Sequence, residues 1–172
     1  MRGILSRLRD DSHRFAQHLM LNWIAGSVLV PRDARFVLYK ISGIKCEGRV
    51  NVYPGVHIET NRLRLGRYVM INRGVWIDNV GQVTIGVNTS IGHQTMICTT
   101  SHHIGGVERR AAAIITMPVR IGSGCWVGAR CLVLPGVVIA DGCVIAAGAT
   151  VTKSTESNGL YAGTPARRIR NL

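Results

Sequence analysis

The chain has 172 residues, of which 47% are hydrophobic, 17% charged and 5% aromatic, with 20 glycines and a net charge of +12. That is enough for one domain with a buried core and too mild a bias for disorder. The charge would attract a polyanion, either nucleic acid, acidic lipid or a phosphate-bearing molecule, unless the arginines are merely solvated. The five cysteines include no C-x-x-C pair of the kind that binds zinc, and suit a reducing, cytoplasmic setting.

Residues 1–45 read as a helical cap. Arg2, Arg7, Arg9 and Arg14 make its start basic, and Leu19 to Val30 is mostly apolar up to Pro31. The apolar part is too short, and with Asn22 too polar, to cross a membrane. Asp10, Asp11 and His18 suit a signal peptide badly, and no clear A-x-A site follows. A helix covering one open end of the following domain is expected, with a helix lying on a membrane surface as the alternative. Arg32 to Ile44 reads as a second short helix, stopped at Gly43.

From residue 46 to 152 the pattern changes. Ile121, Val127, Val133, Ile139, Ile145 and Val151 recur every six residues, and Val119, Cys125, Cys131, Val137, Cys143 and Ala149 stand two before them. Neither a helix nor an ordinary strand demands a period of six. Such hexapeptides build a β-solenoid, with short strands along flat faces and tight turns between them. The small residues after the anchors (Gly122, Gly128, Ala140, Ala146) suit those turns, and the cysteines read as compact buried hydrophobes. Upstream, the sets Val52–Ile58, Leu65–Ile71–Ile77 and Ile85–Ile91–Ile97 keep the period, apart from steps of seven and eight between sets. From Ile97 to Ile121 the step is twenty-four, so a loop over residues 101–118 protrudes. A long loop leaving a regular solenoid is usually functional.

That loop carries His102 and His103, and a histidine can take a proton from a hydroxyl near neutral pH. Residue chemistry alone ranks neither above the other. Asn72 and Asp78 follow anchors at turn positions, where they either cap the backbone or present an amide and a carboxylate to a hydroxyl-bearing ligand. Trp76 and Trp126 are too bulky for the core and should lie outside it or in a cleft. His57 and His93 are thirty-six residues apart, as in zinc-binding solenoids of the γ-class carbonic anhydrase type, but they differ in register, and no metal site is expected. Residues 153–172 read as a C-terminal tail or short helix, broken at Gly163-Thr164-Pro165-Ala166 and ending in a basic run.

Several of these features occur together in one family. The Thr100-Ser101-His102-His103 departure, the run from Ile121 to Ala129, the Leu134-Pro135-Gly136-Val137 step and the Ala162-to-Ala166 tail resemble the hexapeptide-repeat acyltransferases. The resemblance is nearest to the sugar O-acetyltransferases of the maltose and nodulation-factor type, and covers about residues 45 to 170. It implies a left-handed parallel β-helix that assembles as a homotrimer, with active sites between subunits. It also implies acyl transfer from acetyl-CoA, or a related thioester, to a hydroxyl or amine. By motif match His102 is the catalytic base, Asn72 and Asp78 the acceptor-side pair, and Trp126 the tryptophan beside the thioester channel. Ala146, Ala147 and Gly148, with Gly163, Thr164, Pro165 and Ala166, line the pantetheine arm. Lys153, Arg167 and Arg168 would meet the phosphates of coenzyme A. The spacing from Asp78 to His102 is one residue longer than in the family pattern. The N-terminal segment also departs from the maltose acetyltransferase type, so the resemblance does not fix the acceptor.

The expected function is therefore acetyl transfer to a hydroxyl of a sugar or small metabolite. A xenobiotic, antibiotic or amino-sugar acetyltransferase on the same fold is the nearest alternative. A non-catalytic solenoid binding lipid or nucleic acid through its arginines is the more distant one, since no nucleic-acid-reading motif is present.

Overall fold

In a six-residue repeat with two inward positions, the chain must bend after every anchor. The computed structural model, which describes Ser12 and residues 15–172, does this at each repeat. The chain winds as a left-handed parallel β-helix with three flat faces. The first face is a five-stranded sheet of Lys45–Cys46, Leu63–Leu65, Val83–Ile85, Val119–Ile121 and Val138–Ile139. A second carries Asn51–Val52, Met70–Ile71, Ser90–Ile91, Trp126–Val127, Val144–Ile145 and the C-terminal strands. The third carries His57–Ile58, Trp76–Asp78, Met96–Cys98, Leu132–Val133 and Thr150–Val151.

Every anchor from Val52 to Val151 points inward and is at most 3% exposed. Burying a side chain of that size contributes roughly 1.5–3 kcal/mol. The small residues after the anchors also have a steric cause. A Cβ on Gly128 would lie 2.6 Å from the Ala147 backbone nitrogen, and one on Gly86 2.6 Å from that of Ser123. Corners stack directly on the corners of the next coil, leaving no space for a side chain.

At five of the anchors the residue two before does more than fill volume. Thr89 and Thr95, both fully buried, donate their hydroxyls to the carbonyls of Gly122 (2.6 Å) and Gly128 (2.7 Å) in the next coil. Cys125, Cys131 and Cys143 repeat the arrangement, their thiols donating at 3.1 Å to the carbonyls of Ala140, Ala146 and Glu156. A compact side chain with one proton to donate satisfies each corner carbonyl, so the cysteines are hydrogen-bond donors as well as hydrophobes.

The irregular steps in the repeat converge on one corner, between the third face and the first. The extra residues near Thr60 and Asn79 fill it in successive coils. Fully buried Asn79 binds Thr60 with both ends of its amide, to the Thr60 carbonyl at 2.6 Å and the Thr60 N–H at 3.0 Å. One coil later the protruding loop leaves from the same corner. Val83 pairs with Val119, thirty-six residues on, whereas Arg120 pairs with Val138 only eighteen on.

At the N-terminal end, residues 15–18 are α-helical and lead into a π-helical turn, Leu19–Ile24. Helix α1 follows at Arg32–Ile41, and the chain turns at Gly43 (φ +88°). The arginines expected to make the start basic, Arg2, Arg7, Arg9 and Arg14, lie outside the described residues, as do Asp10 and Asp11. Arg35 of α1 is 3% exposed and ties the segment together. Its guanidinium donates to the carbonyls of Ala25, Ser27, Val30 and Val52 at 2.6–3.1 Å. Four carbonyls compensate a buried charge that, among the described residues, pairs with no carboxylate.

The C-terminal segment is neither an irregular tail nor a helix. Gly159–Ala162 continues the second face in parallel with Val144–Ile145, and Arg167–Asn171 folds back antiparallel on it. The Gly163-to-Ala166 stretch, read from sequence as a break, is the turn of this hairpin.

Candidate functional site

The protruding loop is itself a hairpin. Thr100–Ile104 pairs antiparallel with Ala111–Thr116, with a register shift between His102 and Ile104. Its base is fixed by Asp78, whose carboxylate accepts the Thr100 N–H (3.1 Å) and hydroxyl (3.0 Å). Thr99, fully buried, donates to the Asp78 carbonyl (2.7 Å) and accepts the Gly81 N–H (2.9 Å). Asp78 therefore anchors the hairpin strand at Thr100, two residues before His102, and sets how the hairpin leaves the solenoid.

His102 is exposed, and its Nδ1 lies 2.9 Å from the Ala112 carbonyl on the opposite strand. A carbonyl can only accept, so Nδ1 carries the proton and Nε2 keeps its lone pair. That tautomer and orientation are what a general base needs. The exposed His103 sits in the register shift and, among the described residues, makes no such contact. This distinction was absent from the sequence, because Ala112 contributes its backbone only.

Asn72 is placed differently from the expectation for a ligand-facing amide. Its side-chain nitrogen donates to the Ile91 carbonyl of the next coil at 3.2 Å, as a turn cap would. Trp126 is 61% exposed on the second face, in register with Ser90 and Val144. The hairpin leaves the solenoid at the corner between the third and first faces, whereas Trp126 lies on the second.

The two segments expected to line the pantetheine arm do come together. Thr150 N–H donates to the Gly163 carbonyl (3.0 Å), Ala166 N–H to the Thr150 carbonyl (2.8 Å), and Ala146 N–H to the Tyr161 carbonyl (2.8 Å). The Thr164 hydroxyl lies 3.3 Å from that of Thr150. Gly148 (φ +74°) has open space where a Cβ would stand, and Ala147 beside it is small. Bare backbone at this corner admits an extended ligand. Arg167 and Lys153 are exposed nearby, whereas Arg168 pairs with Glu156 and lies 6.0 Å over the Tyr161 ring. Arg168 braces the hairpin.

No thiol is poised as a nucleophile here. Burial pushes Cys98 up, reinforced by the Asp78 charge, and Cys46 is pushed up to about 11. Both stay protonated near neutral pH, which leaves the histidine as the group that can accept a proton.

His57 has partners the sequence did not reveal. It stacks on Trp76, with ring centroids 3.7 Å apart, and shares Glu59 with His18 at 3.2 and 3.4 Å. The three donor groups are close enough to face a cation. However, Asn22 is locked on the Ile58 backbone and aims its N–H at His18 Nδ1. That leaves the His18 proton on Nε2, where it bonds Glu59 instead of leaving a lone pair for a metal. The cluster clamps the N-terminal helix to the third face.

Residues 118–153 match the bacterial transferase hexapeptide family of six repeats. Escherichia coli WcaF, named for an acetyltransferase of colanic acid biosynthesis, is 34% identical over 137 residues, covering 79% of this chain and 74% of WcaF. The galactoside O-acetyltransferase of E. coli is 33% identical over 112 residues, 65% of this chain. The chain spans about half of that enzyme (55%) and of a Schizosaccharomyces pombe relative (53%). Among solved structures, a hexapeptide-repeat acetyltransferase of Vibrio cholerae complexed with acetyl coenzyme A superposes with a TM-score of 0.85 at 29% identity. The match covers 94% of this chain and 88% of that one.

Proposed function

This chain belongs to the hexapeptide-repeat acetyltransferases, and from that premise we propose that it moves an acetyl group from acetyl-CoA to a hydroxyl of a saccharide. The observation that carries the catalytic part is the bond from His102 Nδ1 to the Ala112 carbonyl, which leaves Nε2 as the proton acceptor. Nε2 takes the acceptor proton as the hydroxyl oxygen attacks the thioester carbonyl. The coenzyme A thiolate then leaves and the proton is released with it, so no covalent enzyme intermediate forms. Asp78 serves as a positioning residue through Thr100. Ala146 to Gly148 and Gly163 to Ala166 pass the pantetheine arm, and Arg167 and Lys153 meet the phosphates at its far end. A saccharide acceptor is favoured by the relatives named for colanic acid and galactoside.

Trp126 lies on the second face and His102 on a hairpin that leaves the corner between the third and first, which supports a homotrimer whose sites lie between subunits, with the hairpin of one copy facing the second face of the next. A cytoplasmic setting fits the thiols of Cys125, Cys131 and Cys143, which donate hydrogen bonds only while reduced. Among the described residues no helix is long and apolar enough to cross a membrane.

The test replaces each loop histidine in turn. His102→Ala lowers kcat by about 10²–10⁴-fold, the usual range for losing a general base, while the Kd for acetyl-CoA is unchanged. His103→Ala keeps most of the activity. Full turnover in His102→Ala would refute the assignment.

A further inference from the structure

The N-terminal segment spends only part of its surface on the solenoid. Leu21 and Ala25 are fully buried, Asn22 is held on the Ile58 backbone at 2.8 and 3.1 Å, and His18 meets Glu59. These contacts fix the segment's orientation and leave the neighbouring face outward. Phe15, Leu19 and Trp23 form a stripe at four-residue spacing, 70%, 41% and 77% exposed, over a shallow apolar depression. In the turn that follows, Val28 and Leu29 are 72% and 88% exposed. Scattered single apolar residues on a surface need no explanation, but five exposed within fifteen positions, three of them together, do.

The charge around this face indicates what covers it. Residues 32–73, which form α1 and the coils adjoining it, carry nine Lys and Arg against three Asp and Glu. Exposed Arg62 lines a depression together with Gln17 and His18 of the segment itself, and exposed Arg32, Arg64, Arg67 and Arg73 are spread over the neighbouring coils. A second copy would bring the same basic surface against itself. An anionic bilayer instead matches the charge and accepts protruding aromatic and aliphatic side chains without a complementary groove. Tryptophan suits the headgroup level, where its ring is buried and its N–H stays wet.

We propose that the exposed apolar residues of the Phe15–Leu29 segment rest on the surface of an anionic lipid bilayer, with their side chains in the interface and with Arg62 and the basic neighbouring coils drawn to the headgroups. The protein is then peripheral to the membrane. This inference rests on the docked N-terminal segment and is independent of the acetyl-transfer reading.

The experiment co-sediments the full chain with phosphatidylcholine vesicles, and with the same vesicles containing about 30% phosphatidylglycerol, at low and at physiological salt. Wild type should bind the anionic vesicles, and Trp23→Ser with Leu29→Ser should bind about tenfold or more weakly. Circular dichroism and acetyl-CoA titration of the variant check its fold, and both residues are exposed enough to be replaced without disturbing the core. Binding that is abolished by salt and indifferent to the double substitution would reduce the effect to general polyanion attraction and overturn the proposal. Absence of vesicle binding would overturn it too. If the double substitution also lowered the sedimentation mass, a second copy would be the occupant.

Discussion

Thr95→Val tests whether the position two before each anchor is a hydrogen-bonding site or a packing site. The Thr95 hydroxyl donates to the Gly128 carbonyl at 2.7 Å and accepts the Cys131 N–H at 3.2 Å. Among the described residues neither group has another partner, and Thr95 is 0% exposed, so water cannot substitute. Valine keeps the shape and removes both bonds. Leaving a buried donor or acceptor unpaired costs about 1–3 kcal/mol, so the pair predicts a loss of about 2–4 kcal/mol. Thr95→Ser keeps both bonds and deletes one methyl, a loss of about 1 kcal/mol including the small cavity. Urea unfolding followed by far-UV circular dichroism, at one fixed protein concentration, measures both. The account requires valine to cost more than serine. Valine within about 0.5 kcal/mol of wild type, with serine the more damaging, would show that the hydroxyls only fill space.

Further predictions follow from the thiols and the C-terminal hairpin. Burial raises Cys46 from 9.0 to about 11 and also raises Cys98, Cys125 and Cys131. The folded state keeps each thiol neutral while the unfolded chain releases its proton near pH 9. Stability is therefore complete below pH 9 and falls as the pH rises toward 11 through Cys46, with the other raised thiols acting in the same direction. Urea midpoints at pH 8 and pH 10.5 measure the fall, Cys46→Ala should lessen it, and a flat profile would contradict it. Arg167→Ala and Lys153→Ala should raise the KM for acetyl-CoA severalfold and leave the acceptor KM alone. Arg168→Ala should act on thermal stability instead, because its guanidinium is engaged with Glu156 and Tyr161. The reverse pattern would exchange the roles of Arg167 and Arg168.

The solenoid was legible because its inward positions answer to one rule repeated every six residues, and Ile121 through Val151 obey it without a gap. The hairpin was legible as an interruption of that rule, but not as paired strands, since Ala111 to Thr116 carries no polar alternation. Three other features escaped because their partners are backbone atoms. The carbonyl of Ala112 selects the His102 tautomer, those of Ala140 and Ala146 receive the cysteine thiols, and four carbonyls hold Arg35. Backbone groups are present at every position, so only the fold tells which one faces a given side chain. The C-terminal strands were obscured by Gly163 and Pro165, whose turn role depends on an edge strand that exists only after the last coil has formed. Asn72 shows the opposite limit, since a motif position can match while its side chain points back to the Ile91 carbonyl.

Calorimetric titration of the wild-type protein with acetyl-CoA, and with CoA alone, tests the central claim most directly. The account predicts saturable binding of both, weakened by Arg167→Ala and untouched by His102→Ala. An absence of heat at millimolar acetyl-CoA would contradict it, because the backbone corner at Gly148 and the turn at Gly163 would then not form a donor channel.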